Sequence, residues 1–287
     1  YANVRQPPVS TLNLAHMVPS SAVWAGPERD DHFGAPPLLY GRTEGSTPFR
    51  LSLHVGDVGH TLVVGPTGAG KSVLLALMAL QFRRYARSQV FAFDFGGSIR
   101  ACALAMQGDW HDLGGELTDA SETSVSLQPL ARIHETSERA WAADWIVAIL
   151  MRENIQITPE VKEHLWTALT SLASAPVGER TITGLAVLLQ SNDLKQALRS
   201  YCVGGPYGRL LDAEAEHLGS SDVQAYEIEG LVGTGAAPAV LSYLFHRIGD
   251  RLDGRPTMLI IDEGWLALDD EGFADQLREW LKTLRKK

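Results

Sequence analysis

Short apolar runs and longer stretches with helical periodicity alternate along the chain from residue 61 onward. Short apolar runs bounded by polar or glycine positions are typical of strands that are buried on both faces. The pattern predicts strands at Thr61–Val64, Gln89–Phe93, Val223–Ile228 and Met258–Ile261, with a further candidate at Ser124–Leu127. Helical stretches follow at Lys71–Arg87 and Ala239–Leu252. This alternation predicts an α/β fold with a mostly parallel sheet between layers of helices.

Residues 137–202 show helical periodicity and no strand signal. Trp141, Trp145 and Ile149 fall on one helical face, and Thr158–Pro159–Glu160 offers an N-cap, a first-turn proline and an early acid. Because this all-helical block lies between strands of one predicted sheet, we interpret it as an inserted all-α subdomain.

The N-terminal region differs from the rest of the chain. Its first 36 residues are rich in proline and weakly patterned, which predicts an irregular arm or the end of an upstream domain. Period-two alternation predicts a hairpin formed by Leu38–Gly41 and Phe49–Val55. At the other end, residues 273–284 have the spacing of a last helix. The predicted organisation is an arm at 1–36, an α/β domain in two segments at 37–136 and 203–287, and the insert at 137–202.

The composition is that of an ordinary folded protein. Hydrophobic residues make up 45% and charged residues 21% of 287, which excludes an intrinsically disordered chain. The formal net charge of −9 counts against a surface that binds nucleic acid over its whole extent, although a local basic channel stays open. Cys102 and Cys202 have no metal-ligand or disulfide spacing, so we expect two buried thiols.

No apolar run approaches the roughly 18 to 20 residues of a membrane span, and no signal-peptide pattern opens the chain. The sequence begins at Tyr1 rather than methionine and stops at Lys287 within the predicted last helix. We therefore expect it to be a piece of a longer protein, with its α/β domain truncated at the C-terminal end.

Residues 65–72 match the phosphate-binding pattern G-x-x-x-x-G-K-[ST], the Walker A motif, at every fixed position. Glycines let the backbone form a cradle whose N–H groups point at phosphate oxygens, and the helix N-terminus that follows favours an anion. Lys71 would then contact the β- and γ-phosphates, and the Ser72 hydroxyl would be a ligand of Mg²⁺. The candidate nucleotide-binding residues are Gly65, Pro66, Thr67, Gly68, Ala69, Gly70, Lys71 and Ser72.

A second candidate site follows the apolar strand Met258–Ile261, which ends in Asp262 and Glu263. Carboxylates are costly to bury without partners, so they gather at the carboxyl edge of a parallel sheet, where ligands bind. Asp262 is the candidate that orients Mg²⁺ together with Ser72, and Glu263 is the candidate catalytic residue that activates the attacking water. With Lys71 as the second catalytic candidate, the two motifs predict a P-loop nucleoside triphosphatase that uses ATP and Mg²⁺.

Some weaker features have structural explanations. Asp94-Phe95-Gly96-Gly97 resembles the D-F-G triplet of protein kinases, but the kinase strand lysine and H-R-D loop are missing. Asp94 ends a predicted strand, so it either faces the nucleotide or caps a turn. His111 stands beside acids without a second histidine at ligand spacing, which favours a structural role.

The remaining candidates are aromatic or basic. We expect the tryptophans at 141, 145 and 166 to pack in the core or the insert rather than to stack on a ligand. The basic run that contains Lys282 and Arg285 predicts a solvated helix end. Alternatively, Arg285 is an arginine finger for the γ-phosphate of a neighbouring subunit.

Four segments together resemble one family: GHTLVVGPTGAGKS at 59–72, DFGGS at 94–98, LIIDEGW at 259–265 and EWLKTLRKK at 279–287. They are similar to the CagE/TrbE/VirB family of type IV secretion and conjugative-transfer ATPases, and most of all to its TrbE branch. The resemblance covers roughly residues 38–287.

The resemblance implies a RecA-like P-loop ATPase domain with an all-α insert, which fits the predicted block at 137–202. It also implies a homo-oligomer, often a hexamer, in the cytoplasm at the face of the bacterial inner membrane. Such a protein energises the assembly of a transfer channel or pilus and substrate transfer, and it contacts other channel components. A transient contact with DNA stays open.

Two alternatives remain beside the secretion motor. A DNA-pumping or coupling ATPase of the HerA/FtsK kind would have a similar fold, although the acidic charge and the lack of predicted membrane spans count against it. A nucleotide-gated assembly scaffold with negligible turnover would keep the phosphate loop, but complete Walker A and Walker B residues count against a degenerate site.

Overall fold

The computed structural model describes residues 9–18, 24–114 and 125–264, together with residues 274, 277, 278 and 281. The chain divides into two compact units, residues 1–61 and 62–287. This boundary lies downstream of residue 36, where the sequence predicted the arm to end. The hairpin therefore belongs to the first unit, and the other predicted domain limits stay predictions.

The first unit contains a short helix and a β-hairpin among its described residues. Helix α1 (Thr11–Met17) begins after Ser10, whose side chain accepts a hydrogen bond from the N–H of Asn13. The prediction of an irregular arm was wrong at this point, because the Ser10 cap starts a helix that the weak periodicity did not reveal. Strands β1 (Leu39–Arg42) and β2 (Pro48–Leu51) pair antiparallel and confirm the hairpin.

The second unit is built on a four-stranded sheet with the order β4-β5-β3-β6. Its strands are β3 (Gln89–Asp94), β4 (Asp109–Asp112), β5 (Val223–Glu227) and β6 (Thr257–Ile261). All three pairings are parallel, as predicted. In a parallel sheet the carboxyl ends of the strands meet at one edge, and here that edge carries Asp94, Asp112, Glu227 and Asp262.

Strand β4 was missed because Asp109–Asp112 contains no apolar run. Gly108 precedes it and lies so close to β5 that a Cβ at this position would be 2.6 Å from the side chain of Val223. A glycine therefore allows the close approach that starts this pairing. The candidate strand at 124–127 was wrong within the described residues, since Ser126 makes only an isolated bridge to His217.

The predicted strand at 61–64 is also absent, because these residues have no ladder partner in the described part of the chain. Leu62 and Val64 are 86% and 82% exposed. A strand needs hydrogen bonds to a neighbour, and β6 pairs only with β3 among the described residues. The apolar composition predicted the strand, but composition alone does not show whether a partner strand is present to form its hydrogen bonds.

Two helices lie next to β3 along the chain, one before it and one after it. Helix α2 (Lys71–Phe82) starts directly after the glycine loop and ends earlier than the predicted Arg87, with Arg83 as its C-cap. It buries Met78, Ala79 and Phe82. Helix α3 (Arg100–Ala105) joins β3 to β4 and buries Cys102 and Ala103.

From residue 136 to 202 the chain forms helices joined by turns and short loops and contains no strand, as the helical periodicity predicted. Thr158 caps the second helix as expected, because its Oγ1 accepts a hydrogen bond from the N–H of Val161 at 3.3 Å. The helices are α4 (Thr136–Arg152), α5 (Pro159–Leu172), α6 (Ile182–Leu188) and α7 (Asn192–Leu198), with 3₁₀ turns at Val177–Glu179 and Arg199–Tyr201.

Two further helices complete the described part of the second unit, the short α8 (Gly208–Leu211) and α9 (Ala237–Gly249). The sheet, the insert and α9 share one hydrophobic core. Within it Phe93 of β3 stacks on Phe245 of α9 with the ring centroids 5.0 Å apart. The insert therefore packs directly on the sheet unit.

No helix among the described residues is long and apolar enough to cross a membrane. Most of the predicted last helix, including Arg285, lies outside the described residues. The four described positions within it, residues 274, 277, 278 and 281, are helical.

Candidate nucleotide-binding site

Residues 65–72 form the loop before α2 and the first turn of that helix. Gly68 and Gly70 have φ angles of +80° and +85°, in the left-handed region that an L side chain rarely adopts. Gly70 is also the N-cap residue of α2, so no side chain covers the first N–H groups of the helix. Those N–H groups are the donors that a phosphate would accept from.

Lys71 folds back over the loop. Its Nζ donates hydrogen bonds to the carbonyl oxygens of Gly65 at 3.0 Å and Pro66 at 3.2 Å. The ammonium group therefore lies over the start of the loop, beside the glycine backbone that the motif needs for phosphate binding. A phosphate that entered the loop would offer this cation stronger acceptors than two neutral carbonyl groups.

Asp262 lies against the start of α2, although it is distant in sequence. The Ser72 hydroxyl donates to Asp262 Oδ2 at 3.1 Å, across 190 residues of chain. Two backbone hydrogen bonds hold the aspartate: its own N–H donates to Phe93 O at 2.9 Å, and the N–H of Glu263 donates to Asp262 Oδ1 at 3.0 Å. The structure thus brings together Ser72 and Asp262, the two residues that the sequence predicted as Mg²⁺ ligands.

Glu263 follows Asp262 at the same edge of the sheet. Its φ angle of +46° lies in the left-handed region, which is uncommon for a residue with a side chain. The chain therefore turns sharply at the end of β6, next to Asp262, which accepts a hydrogen bond from Ser72. Uncommon backbone conformations of this kind cluster at functional sites.

The loop after β3 forms another section of the site. Asp94 is only 1% exposed, and it accepts hydrogen bonds from the Ser98 hydroxyl at 2.6 Å and from the N–H of Ile99 at 2.8 Å. Asp94 therefore caps the turn that leads into α3. The Ser98 hydroxyl also lies 3.4 Å from Asp262 Oδ2, which connects this turn to the carboxylate beside Ser72.

Glu227, at the end of β5, holds the same loop from the other side. Its carboxylate accepts hydrogen bonds from the N–H groups of Gly96, at 3.1 Å, and Gly97, and from the N–H of Glu229 at 2.9 Å. Sequence reasoning missed Glu227 and Ser98. The rule that selected Asp262, a carboxylate directly after a buried strand, did not select Glu227 because the predicted strand extended to Ile228, whereas the observed strand ends at Glu227.

The weaker candidates have structural roles. His111 is buried on β4 and stacks on Tyr226 with the ring centroids 5.3 Å apart, and burial lowers its pKa. Trp145 is buried, and Trp141 stacks on it at 5.8 Å, as expected for core packing. Cys102 is buried, as expected, whereas Cys202 is only partly buried, and desolvation raises the pKa of both thiols.

The donor set suits a magnesium nucleotide. Mg²⁺ prefers hard oxygen ligands, and a hydroxyl and a carboxylate meet at Ser72 and Asp262. Backbone N–H groups and the Lys71 ammonium lie directly before them in the chain, where the phosphates would bind. Nothing in this arrangement requires a soft ligand such as a thiolate.

Comparisons with known proteins agree with the resemblance, although no protein-family model matches the chain. The chain is 44% identical over its full length to a probable conjugal transfer protein TrbE of Sinorhizobium fredii. It is 43% identical, again over its full length, to the conjugal transfer protein TrbE of Rhizobium radiobacter. The chain spans only 44% and 35% of the lengths of these two relatives.

More distant relatives are VirB4 proteins. The type IV secretion system protein virB4 of Bartonella quintana is 27% identical over 97% of this chain and 35% of that protein. The solved structure of VirB4 of Thermoanaerobacter pseudethanolicus has a TM-score of 0.67 and 18% identity, over 87% of this chain and 74% of that one. The fold is therefore a RecA-like α/β fold with a parallel sheet and a helical insert. By its sequence identity to TrbE proteins along the whole of this chain, and by its similarity in sequence and fold to VirB4, the chain belongs to the TrbE/VirB4 family of conjugal transfer and type IV secretion proteins.

Proposed function

We propose that this chain is the ATP-binding and ATP-hydrolysing portion of a motor for type IV secretion or conjugative transfer. The observation that carries the proposal is the contact of the Ser72 hydroxyl with Asp262 Oδ2 at 3.1 Å. It joins a complete phosphate-binding loop to the acidic end of a distant strand. A glycine-rich turn with only a structural role does not need a buried carboxylate at the start of the helix that follows it.

Each residue has a chemical role in this proposal. The loop N–H groups and Lys71 bind the phosphates, and Lys71 stabilises the charge that develops on the γ-phosphate. Ser72 and Asp262 hold Mg²⁺, which neutralises phosphate charge when it is bound. Glu263 orients the attacking water and accepts its proton. The first carboxylate therefore serves the metal, and the second serves the water.

The proposal extends to partners and location. We infer a homo-oligomer, with a hexamer as the first expectation, that works at the cytoplasmic face of the bacterial inner membrane and contacts other components of the secretion channel. The relatives' names as conjugal transfer and type IV secretion proteins support the contact with other components of the system, while the oligomer follows from the family resemblance alone. A transient contact with DNA also belongs to the proposal. ATP hydrolysis would energise channel or pilus assembly and substrate transfer.

ATP turnover by the chain and by two variants tests the proposal. Lys71→Ala removes the phosphate-binding cation, and Glu263→Gln removes the proton acceptor but keeps the shape of the side chain. We expect each to lower kcat by about 10²-fold or more. Lys162→Ala and Glu163→Gln, on the exposed face of α5, are matched controls that should keep wild-type turnover.

The outcomes separate the candidate functions. Wild-type turnover by Glu263→Gln would remove Glu263 from the mechanism. Nucleotide binding without turnover above the Lys71→Ala blank would favour the nucleotide-gated scaffold. Strong stimulation by double-stranded DNA would favour a DNA pump over a secretion motor, so the assay is run with and without DNA.

A further inference from the structure

Two buried carboxylates end neighbouring strands beside the phosphate loop. Asp94 ends β3 and is 1% exposed, while Asp262 follows β6 and is 8% exposed. The strands pair in parallel with Phe93 opposite Ile261, so the two acids stand at matching positions on the sheet edge. Like charges at the ends of adjacent strands repel each other, and hydrogen-bond donors between or around them offset that repulsion.

Ser98 supplies a donor at this place. Its hydroxyl is 2.6 Å from Asp94 Oδ1 and 3.4 Å from Asp262 Oδ2. A serine hydroxyl has one proton, so the two carboxylates share it in a three-centre hydrogen bond, with Asp94 as the principal acceptor and Asp262 as the weaker one. Asp94 thereby fixes the hydroxyl at a point from which its proton also reaches Asp262.

The loop that carries Ser98 is held on both sides. The N–H of Ile99 donates to Asp94, and Glu227 accepts from the N–H groups of Gly96 and Gly97. The two glycines have φ angles of +81° and +68°, which this tight turn needs. Two neighbouring strands, β3 and β5, therefore fix the position of Ser98 relative to the third, β6.

The contacts of Asp262 show what this position does. Its Oδ1 accepts from the N–H of Glu263, and its Oδ2 is approached by two hydroxyl groups, those of Ser72 and Ser98. A Ser72 hydroxyl that binds Mg²⁺ does so through its oxygen, so the metal as well as Asp262 would then set its position. Ser98 and the Glu263 N–H are the donors to Asp262 that are not themselves candidate metal ligands.

We propose that Ser98, itself held by Asp94, is a positioning residue that orients Asp262 for the Mg²⁺ of the nucleotide. The inference rests on the proposed function, because it assigns a role at the same site. It explains why Asp94 lies buried at the end of its strand: it caps the turn and acts on the metal site through Ser98. Neither residue is required to touch the nucleotide.

Nucleotide affinity with and without Mg²⁺ tests this role independently of turnover. The dissociation constant of a fluorescent ATP analogue is measured in excess Mg²⁺ and in EDTA, and the ratio gives the gain in affinity from the metal. Removing a residue that orients a metal ligand typically lowers metal affinity about 10- to 100-fold. We expect Ser98→Ala to lower the gain about tenfold, with little change in EDTA, because Ser98 is exposed and water replaces some of its contact.

Three variants make the result specific. Ser98→Thr keeps the hydroxyl and should restore most of the gain, and Asp94→Asn should reduce it by weakening the hold on Ser98. Ser171→Ala removes a serine hydroxyl on α5 that bonds only to a backbone oxygen of its own helix, and should match the wild type.

The outcomes also separate this inference from the proposed function. A wild-type gain in Ser98→Ala, with a lost gain in Asp262→Ala, would overturn the role of Ser98 and leave the proposed function intact. A wild-type chain that binds no nucleotide would overturn both. An equal loss of affinity with Mg²⁺ and in EDTA would show that Ser98 only supports the loop, and would also overturn the proposed role.

Discussion

At the level of single residues, the buried carboxylates of the second unit are stabilised by hydrogen-bond donors. Asp94, Glu227 and Asp262 are all buried, and each has at least two donors within hydrogen-bonding distance. A carboxylate that is buried without such donors destabilises the folded state. The carboxyl edge of the sheet is therefore both a candidate binding site and a stable region of the fold.

His111 is a buried titratable residue that is treated differently from these carboxylates. Burial favours its neutral form and lowers its pKa. Between this lowered pKa and the unfolded value of about 6.5, the unfolded chain binds more protons than the folded chain. The contribution of His111 to stability is therefore complete above pH of about 6.5 and declines as the pH falls through that window.

His111→Phe removes the titrating group and keeps a ring that can stack on Tyr226. We expect the stability of the wild type relative to this variant to decrease as the pH falls from about 8 to about 5, because the unfolded chain takes up a proton in this range before the folded chain does. Urea unfolding followed at several pH values measures this difference, and the exposed His164→Phe on α5 is the control. A difference between wild type and His111→Phe that does not change with pH would contradict the assignment.

At the level of helices and strands, the insert is anchored to the rest of the second unit by α4 and α9. The indole N–H of Trp145 donates to the carbonyl oxygen of Ala239 at 2.9 Å, within the shared core. Trp141 of α4 stacks on His246 of α9 with the ring centroids 4.0 Å apart. These contacts join the helical block to a helix that packs on the sheet, so the two should unfold together.

Trp145→Phe tests this anchor by removing one buried hydrogen bond and a portion of the ring system. We expect a loss of about 1 to 3 kcal/mol in the free energy of unfolding, because the bond and some apolar contact disappear together. Trp166→Phe on α5 makes the same exchange at a side chain that is 40% exposed, and should cost less than about 0.5 kcal/mol. Equal losses in the two variants, measured by urea denaturation, would show that Trp145 does not anchor the insert.

The elements also show where pattern reasoning succeeds. Strands β3 and β6 were predicted because each contains a continuous apolar run, and β5 because apolar residues dominate a short segment that also contains Gln224; both are local properties of the sequence. The predictions for β4 and for residues 61–64 were wrong in opposite ways, since β4 was missed and the strand predicted at 61–64 did not form. A short polar segment became a strand because β5 and Gly108 accommodate it, while an apolar segment has no neighbour among the described residues.

At the level of the whole molecule, the proposed motor would complete its site between subunits. The Walker residues lie in one chain, and Arg285, the candidate arginine finger, lies outside the described residues. An arginine from a neighbouring subunit supplies charge that the phosphate loop of one chain lacks. If Arg285 acts in this way, the proposed homo-oligomer would be needed for catalysis as well as for assembly.

The dependence of turnover on protein concentration tests this expectation. We expect the ATPase rate per chain to rise with concentration and to level off where light scattering shows a constant oligomer. Arg285→Ala should lower the plateau by about 10³-fold, the effect of a lost arginine finger, without lowering the oligomer mass. A rate per chain that stays constant in a proven monomer would exclude a shared site.

The sequence by itself determined the α/β class, the phosphate loop, the helical block at 137–202 and the acids after β6. These features depend on local patterns: runs of apolar residues, helical periodicity, and glycine and lysine at fixed spacing. Such patterns can be recognised without knowing which segments become neighbours in the fold.

Only the tertiary structure decided which segments meet. The contact of Ser72 with Asp262, the position of Ser98 between two carboxylates, and the hold of Glu227 on the glycine turn all join residues far apart in the chain. The order β4-β5-β3-β6 places these residues at one edge, and no local pattern encodes that order. It follows from the packing of the whole unit, because strand neighbours are selected by the shared burial of their faces.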